Sequence, residues 1–311
     1  MLVTGATGFL GSAACAAARD AGAEVHALIR RGSDAGDSPR LQAVARFWQA
    51  DLAVPAEVER VLSELRPDAV LHAAGHSSAE RTIRAVGPTL RDNLVATASL
   101  LTACHEAGVA RVVLCGSTEA PSGAVEDVVP SSPYAASKLA ESFYGRMFHR
   151  LYGLGVVEAR LSVTYGPGRE RPGKLIPHLI GRLLSGRPAE LSSGRRRIDW
   201  LYVDDAAAGL VACLAAPGID GRTIELGTGT LTSVQTVATR IADLVGRPDL
   251  LRLGVLPDRT NEVERRIDPA VARQLLGWQA QVGVDDGLAR TVEHYRRVFP
   301  PATADGELVG R

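Results

Sequence analysis

Two stretches of this chain carry residue types at spacings that do chemistry. In the first, Ser132-Pro133-Tyr134-Ala135-Ala136-Ser137-Lys138 opens a helical run, with Pro133 near its first turn. Tyr134 and Lys138 are four apart, so both project from one helical face. A phenol near pKa 10 is a poor acid–base group at neutral pH, and a neighbouring ammonium favours its anion, which predicts a value moved toward the working range. Of the 35 basic residues only two, Lys138 and Lys174, are lysine, and a generic surface pair does not predict one of them here. Upstream, Gly116-Ser117-Thr118-Glu119 supplies hydroxyls able to hold a carbonyl or alkoxide oxygen beside the phenol.

The second stretch is Leu2-Val3-Thr4-Gly5-Ala6-Thr7-Gly8-Phe9-Leu10-Gly11, three glycines where a strand candidate meets a helix candidate. A pyrophosphate at a helix N-terminus has to approach bare backbone N–H groups, which side chains at those turns would block. The spacing is G-x-x-G-x-x-G, weaker alone than G-x-G-x-x-G, and its place in the first strand–helix unit is what separates it from an ordinary tight turn. Some 20 residues past the last glycine an acidic residue is expected where the ribose 2′-hydroxyl is free. Here stand Leu28-Ile29-Arg30-Arg31-Gly32-Ser33, with no carboxylate before Asp34. Two guanidiniums suit a 2′-phosphate, and the competing reading is a solvated pair in an Arg-rich chain. We expect NADP(H) over NAD(H). Asp51-Leu52 would hydrogen-bond and cover the adenine, and Ala73-Ala74-Gly75 offers the small residues a dinucleotide needs for close passage.

The elements that must position these residues follow from the pattern. Through the first two-thirds, short apolar runs alternate with helical stretches, the signature of parallel βαβ units. Strands are expected at 2–4, 25–29, 47–49, 69–72, 111–115 and 156–161, and helices at 10–21, 56–65, 89–107 and 134–152. The right-handed crossover rule makes this an α/β fold, a Rossmann-type doubly wound parallel sheet. After Gly166, prolines and glycines interrupt the alternation, and we expect a smaller C-terminal α/β substrate domain from 166–193 and 227–299 beside a dinucleotide-binding domain over 1–165. Segments near 194–226, including strands at 198–203 and 223–226, would return to the main sheet. A helix over 287–298 precedes a tail from 300 to 311 too poor in apolar residues to order itself.

Composition narrows the classes. The 311 residues hold 35 Lys plus Arg against 35 Asp plus Glu, a net charge of zero that gives neither nucleic acid nor an anionic membrane an electrostatic attraction. With 46% hydrophobic and 23% charged residues the chain is neither disordered nor fibrous. Cys15, Cys104, Cys115 and Cys213 have no metal-like spacing and read as free core thiols of a reducing compartment. The start lacks a basic leader and no run reaches a membrane span, so a cytoplasmic protein without a metal site is expected.

Taken together, TGATGFLG, the Asp51-Leu52 pair, LHAAG, GST, YAASK, TYGPGRE, IDWLYVDDAAAG, ELGTG and LLGW resemble the extended short-chain dehydrogenase/reductase family of sugar-nucleotide epimerases, dehydratases and ketoreductases. The resemblance makes Thr118, Tyr134 and Lys138 the catalytic trio, with Thr118 hydrogen-bonded to the phenol and Lys138 also bonding the nicotinamide ribose. It adds Asn93 as a buttress and Leu161 and Val163 to the cofactor wall. Dehydratases of the family carry an acid and a glutamate base after the Thr; here Ala120 takes the glutamate's place, which disfavours dehydration. The family's Arg before the Asp of R-D is replaced by Ile198, so a shifted arginine, Arg197, would meet the substrate diphosphate together with Arg259, beside Ser117, Thr118 and Glu119.

What this implies is an NADPH-dependent reductase of a nucleotide-linked keto-sugar. An NAD-dependent 4-epimerase uses the same trio, and a reductase of a non-nucleotide natural-product ketone stays open because the diphosphate contacts are irregular. A cofactor-binding protein without turnover would have no need of the Tyr–Lys pair. The helices at 89–107 and 134–152 carry apolar stripes on more than one face, and the family pairs them across a homodimer.

Overall fold

A computed structural model describes all residues except 36–37, 43, 79, 122–128, 171–172, 261, 263 and 300–311. The expected tail, and Asn261, Ser122 and Gly123, lie outside the described residues. In chain order the elements are β1 (Leu2–Thr4), α1 (Phe9–Asp20), β2 (His26–Ile29), β3 (Arg46–Gln49), α2 (Pro55–Leu65), β4 (Ala69–His72), α3 (Val86–Thr89), a π-helical segment (Leu90–Val95) and α4 (Ala96–Glu106). There follow β5 (Arg111–Ser117), α5 (Pro133–Tyr152), β6 (Val156–Leu161), β7 (Val163–Tyr165), α6 (Leu175–Leu184), β8 (Ala189–Glu190), β9 (Arg197–Tyr202) and α7 (Val203–Ala215). The chain closes with β10 (Thr223–Leu226), β11 (Leu231–Ser233), α8 (Val234–Val245), β12 (Leu251–Arg252), α9 (Pro269–Leu276) and α10 (Val284–Val298).

Seven strands form one parallel sheet in the order β3-β2-β1-β4-β5-β6-β10. The period-two alternation of a strand puts Val3, Ala27, Leu71 and Val113 on one face and Leu2, Leu28, Val70 and Val112 on the other. The first face packs on α1 and α7, the second on α2, α4 and α5, so both sides of the sheet are apolar, as parallel sheets require. Strand order reverses between β1 and β4, and ligands of open α/β sheets bind at that crevice.

Two expectations are corrected. The segment 223–226 joins the main sheet as β10, but 198–203 does not: β9 lies between β7 and β11 in a separate three-stranded sheet. Ile198, Trp200 and Tyr202 alternate into a second core with Ile180 of α6, Ile241 of α8 and Leu288 of α10, and burying that face ties the strand to this sheet. Val203 already belongs to α7, whose first turn carries Asp204 and Asp205 where the helix dipole favours them. The helix expected over 89–107 is interrupted: a π-helical turn at Leu90–Val95 swings the buried Asn93 toward the crevice.

Candidate active site

The three loop glycines act for different reasons. Gly5 has φ +66°, and a Cβ on it would lie 2.7 Å from the Ala74 backbone, so the loop after β1 can press against the end of β4 only without a side chain. A Cβ on Gly11 would stand 2.1 Å from the Gly5 carbonyl oxygen, which seats the first turn of α1 on the loop. Gly8 is exposed, with only Gly5 O near its missing Cβ at 3.1 Å. It is the N-cap of α1 and no side chain caps that end, so the first N–H groups of α1 and the positive end of its dipole face the crevice. Thr7, Phe9 and Leu10 border it half-buried, Phe9 also packing toward Gly168 of the β7–α6 loop. The opposite wall is Ala73-Ala74-Gly75. These features fit a dinucleotide.

Beneath the crevice, His72 is buried and joins β1 to α4: Nδ1 lies 2.7 Å from Thr4 Oγ1 and Nε2 3.0 Å from Thr97 Oγ1. Thr4 Oγ1 also accepts the Ala74 N–H at 3.2 Å. Burial, aided by the charge of Lys138, pushes His72 down to about 3, so it is neutral. Asn93 Oδ1 accepts from His76 N at 2.5 Å, while Nδ2 donates to Ser137 Oγ at 2.7 Å and to His76 O at 3.2 Å. The buttress thus clamps the β4 loop to α5.

At the far rim, Arg30 donates to Asp92 Oδ2 at 3.2 Å and Arg31 to Glu57 Oε1 at 3.1 Å. Both guanidiniums are exposed, and the backbone N–H of Ser33 closes the turn onto Arg30 O. Asp51 pairs with Arg91 of the π-helical segment. Leu52 is packed into the second face of the sheet core, so Asp51 is the member of that pair on the rim.

Tyr134 and Lys138 sit in the first turns of α5, whose start is set by Pro133 and by Ser132 Oγ accepting the Ala135 N–H at 3.1 Å. Lys138 is buried, and Nζ donates to Cys115 O and to Glu141 Oε2, each at 2.9 Å. One expectation about the phenol changes. Ser117, the last residue of β5, is a hydroxyl that acts on it, and Thr118, the next residue, lines the neighbouring cleft with Ser162 and Val163. The phenol is raised above its ordinary value, not lowered: burial is the largest cause, Lys138 and Ser117 pull downward, and the charges of Glu141 and Glu119 add to the rise. The phenol is therefore uncharged at neutral pH. Leu161 packs into the core and its carbonyl accepts the Thr118 N–H at 2.9 Å.

In the substrate half, Arg197 lines the cleft, its side chain largely exposed and bound to Glu264 at 2.9 Å. Arg196 lines the same cleft: it pairs with Glu119 at 2.9 Å and Glu262 at 3.3 Å, and its Nε is buried without a partner among the described residues. Arg259 lies exposed on the rim, 3.9 Å from Glu262. Arg265, not singled out from the sequence, also lines the cleft and pairs with Glu225.

A parallel sheet with a glycine turn at its switch point and a Tyr–Lys pair beside it defines a nucleotide-dependent enzyme of the Rossmann class. The chain belongs to the NAD dependent epimerase/dehydratase family, whose model matches residues 1–227, and so to the extended short-chain dehydrogenases/reductases. It is 31% identical to a dTDP-glucose 4,6-dehydratase of Neisseria meningitidis, over 95% of this chain and 92% of the relative. It is 32% identical to a UDP-glucose 4-epimerase of Mycolicibacterium smegmatis, over 95% of this chain and 98% of the relative. Among solved structures it is similar to DesIV, a dTDP-glucose 4,6-dehydratase of Streptomyces venezuelae with NAD and TYD bound, with a TM-score of 0.83, 32% identity and coverage of 95% and 96%. No described helix is long and apolar enough to cross a membrane.

Proposed function

We propose that this enzyme reduces a keto group on a nucleotide-linked sugar with NADPH. The observation that carries the reading is the pair on α5, Tyr134 with the buried Lys138, whose Nζ is held at 2.9 Å by Cys115 O and by Glu141 at the edge of the crevice, the phenol being kept protonated by its surroundings. A group in that state gives a proton to a carbonyl oxygen as hydride arrives at the carbon. Bound along the glycine turn and the Ala73-Ala74-Gly75 wall, a reduced nicotinamide cofactor supplies that hydride. Thr118 and Ser117 orient the carbonyl oxygen, Tyr134 protonates it, and the Lys138 ammonium stabilises the phenolate left behind until solvent returns the proton. Arg196, with Arg259 on the rim, offers bidentate donors to the substrate's diphosphate once Glu119 and Glu262 give way.

Arg30 and Arg31 support NADPH, since a 2′-phosphate between them replaces the surface pairs to Asp92 and Glu57. Ala120 is fully buried and puts no carboxylate there to remove a carbon-bound proton, although 4,6-dehydratases are among the relatives matched over most of their length. A 4-epimerase working with NAD is the second reading, favoured by the epimerase relative matched over 98% of its length. The exposed Phe143, Tyr144, Leu151 and Tyr152 on α5, with Val95 beside α4, support a homodimer through these helices, which light scattering checks.

The test is incubation of the protein with NADPH or NADH and a dTDP-linked 4-keto-sugar, and separately with UDP-glucose. Reduction requires one NADPH consumed per sugar alcohol formed, lost in Tyr134→Phe. Epimer formation from UDP-glucose with no net change in the nicotinamide would replace this reading with the second.

A further inference from the structure

Behind the acid–base pair lies a carboxylate that the reaction does not use. Glu141, one turn beyond Lys138 on α5, is only 3% exposed. Its Oε2 accepts from Lys138 Nζ at 2.9 Å, and Oε1 is buried with no partner among the described residues. Burying a carboxylate with one oxygen unsatisfied is costly, and a stabilising ion pair does not require it. The charged and titratable groups around it are Lys138 and Tyr134 on its own helix, Cys115 on β5 and Glu158 on β6. Glu158 gives Glu141 no donor, because its own oxygens are taken by Ser142 at 2.6 Å, Thr223 at 2.8 Å and Arg160 at 3.2 Å.

Lys138 has three N–H donors, and two are committed inward, to Glu141 and to Cys115 O. The nitrogen lies 3.9 Å from where a side chain on Gly75 would begin, at the lip of the cofactor crevice. The third donor is left for the crevice side.

We propose that Glu141 is a positioning residue for the Tyr134–Lys138 pair, pinning the ammonium against Cys115 so that its remaining N–H faces the crevice, and placing a fixed negative charge behind the phenol. The inference rests on reading Tyr134 and Lys138 as the acid–base pair. Its consequence is that Glu141 acts on Tyr134 in two opposed ways: it keeps the ammonium charged, and it opposes ionisation of the phenol directly.

Glu141→Gln separates the two, because the amide oxygen still accepts from Nζ while the charge is gone. The readout is the pH at which Tyr134 becomes phenolate, taken as the ultraviolet difference between each protein and the same protein carrying Tyr134→Phe. The step should move down by about one pH unit in Glu141→Gln. In Glu141→Ala, where the acceptor is lost too, binding of NADPH followed by its fluorescence should weaken about tenfold. A phenolate step at the wild-type pH in a folded Glu141→Gln protein overturns the inference. Should that variant fail to fold, the wild-type protein labelled with ¹⁵N at lysine Nζ decides, since the chain has two lysines. Lys138 should show a slowly exchanging ammonium, and exchange as fast as free lysine overturns the inference. If Tyr134→Phe keeps turnover, the acid–base reading itself falls; if it is inactive while the Glu141→Gln step stays put, this inference falls alone.

Discussion

Acidification should loosen this protein from beneath its cofactor crevice, and His72 is the reason. The imidazole is neutral in the fold at about 3 against an ordinary 6.5, because burial and the Lys138 charge both oppose a proton on it. A group whose folded value lies below its unfolded one contributes stability that is present above pH 6.5 and is lost as pH falls toward 3. Each pH unit in that window costs about 1.4 kcal/mol, so moving from pH 7 to pH 5 removes about 2 kcal/mol. The assay is urea unfolding at several pH values for wild type and His72→Asn, whose amide can still hydrogen-bond Thr4 but carries no titrating ring. The variant leaves Thr97 without its partner and is less stable at neutral pH by about 1–3 kcal/mol, but that gap should close as pH falls, because the variant has no imidazole to protonate. Other titrating groups, such as Glu141, Glu170 and His294, are common to both proteins and cancel in the difference. NADPH affinity should decline over the same range, since Thr4 links His72 to the Ala74 N–H against which Gly5 packs. Parallel pH dependences for the two proteins, or an NMR titration placing His72 near 6.5, would refute the reasoning.

Other outcomes follow from single positions. Gly11→Ala drives a methyl into the Gly5 carbonyl and should cost both folding stability and cofactor binding, whereas Gly8→Ala meets only a 3.1 Å contact and should weaken NADPH about tenfold or more with little change in melting temperature. Glu170 is raised to about 7 by burial, against the pull of Lys174, so the stability tied to its protonated form is lost as pH rises from about 4.5 to about 7. Glu170→Gln should therefore be more stable than wild type by about 3 kcal/mol at pH 8 and indistinguishable near pH 4.5 by urea unfolding. All four cysteines are free and buried, with Cys15, Cys115 and Cys213 pushed up to about 12, so a disulfide-exchange reagent should find no reactive thiol until urea unfolds the chain.

Much of the fold was legible because its signals are local and periodic. Apolar runs such as Ala69–His72 and Arg111–Cys115 are buried on both faces, and Pro133 after Ser132 announces a helix start without reference to anything distant. Gly5, Gly8 and Gly11 could be read as a set because each answers to backbone geometry within one turn. Strand 198–203 was legible as a strand but not as a member of a particular sheet: its partners are chosen by which core buries Ile198, Trp200 and Tyr202. The π-helical turn at Asn93 escaped for the same reason, since a clamp between His76 and Ser137 depends on residues far apart in the chain.

At the site, residue type and spacing by themselves determined that a phenol and an ammonium share one helical face beside a glycine turn. Only the tertiary structure decided their state. Arg196 and Arg265 join Arg197 along the cleft, and Glu141 stands behind Lys138, because each depends on where neighbouring strands and the second core place it. The direction of the Tyr134 shift was read from the one charge four residues away. Burial and two carboxylates outweigh that charge, and a sequence does not show what surrounds a group in three dimensions.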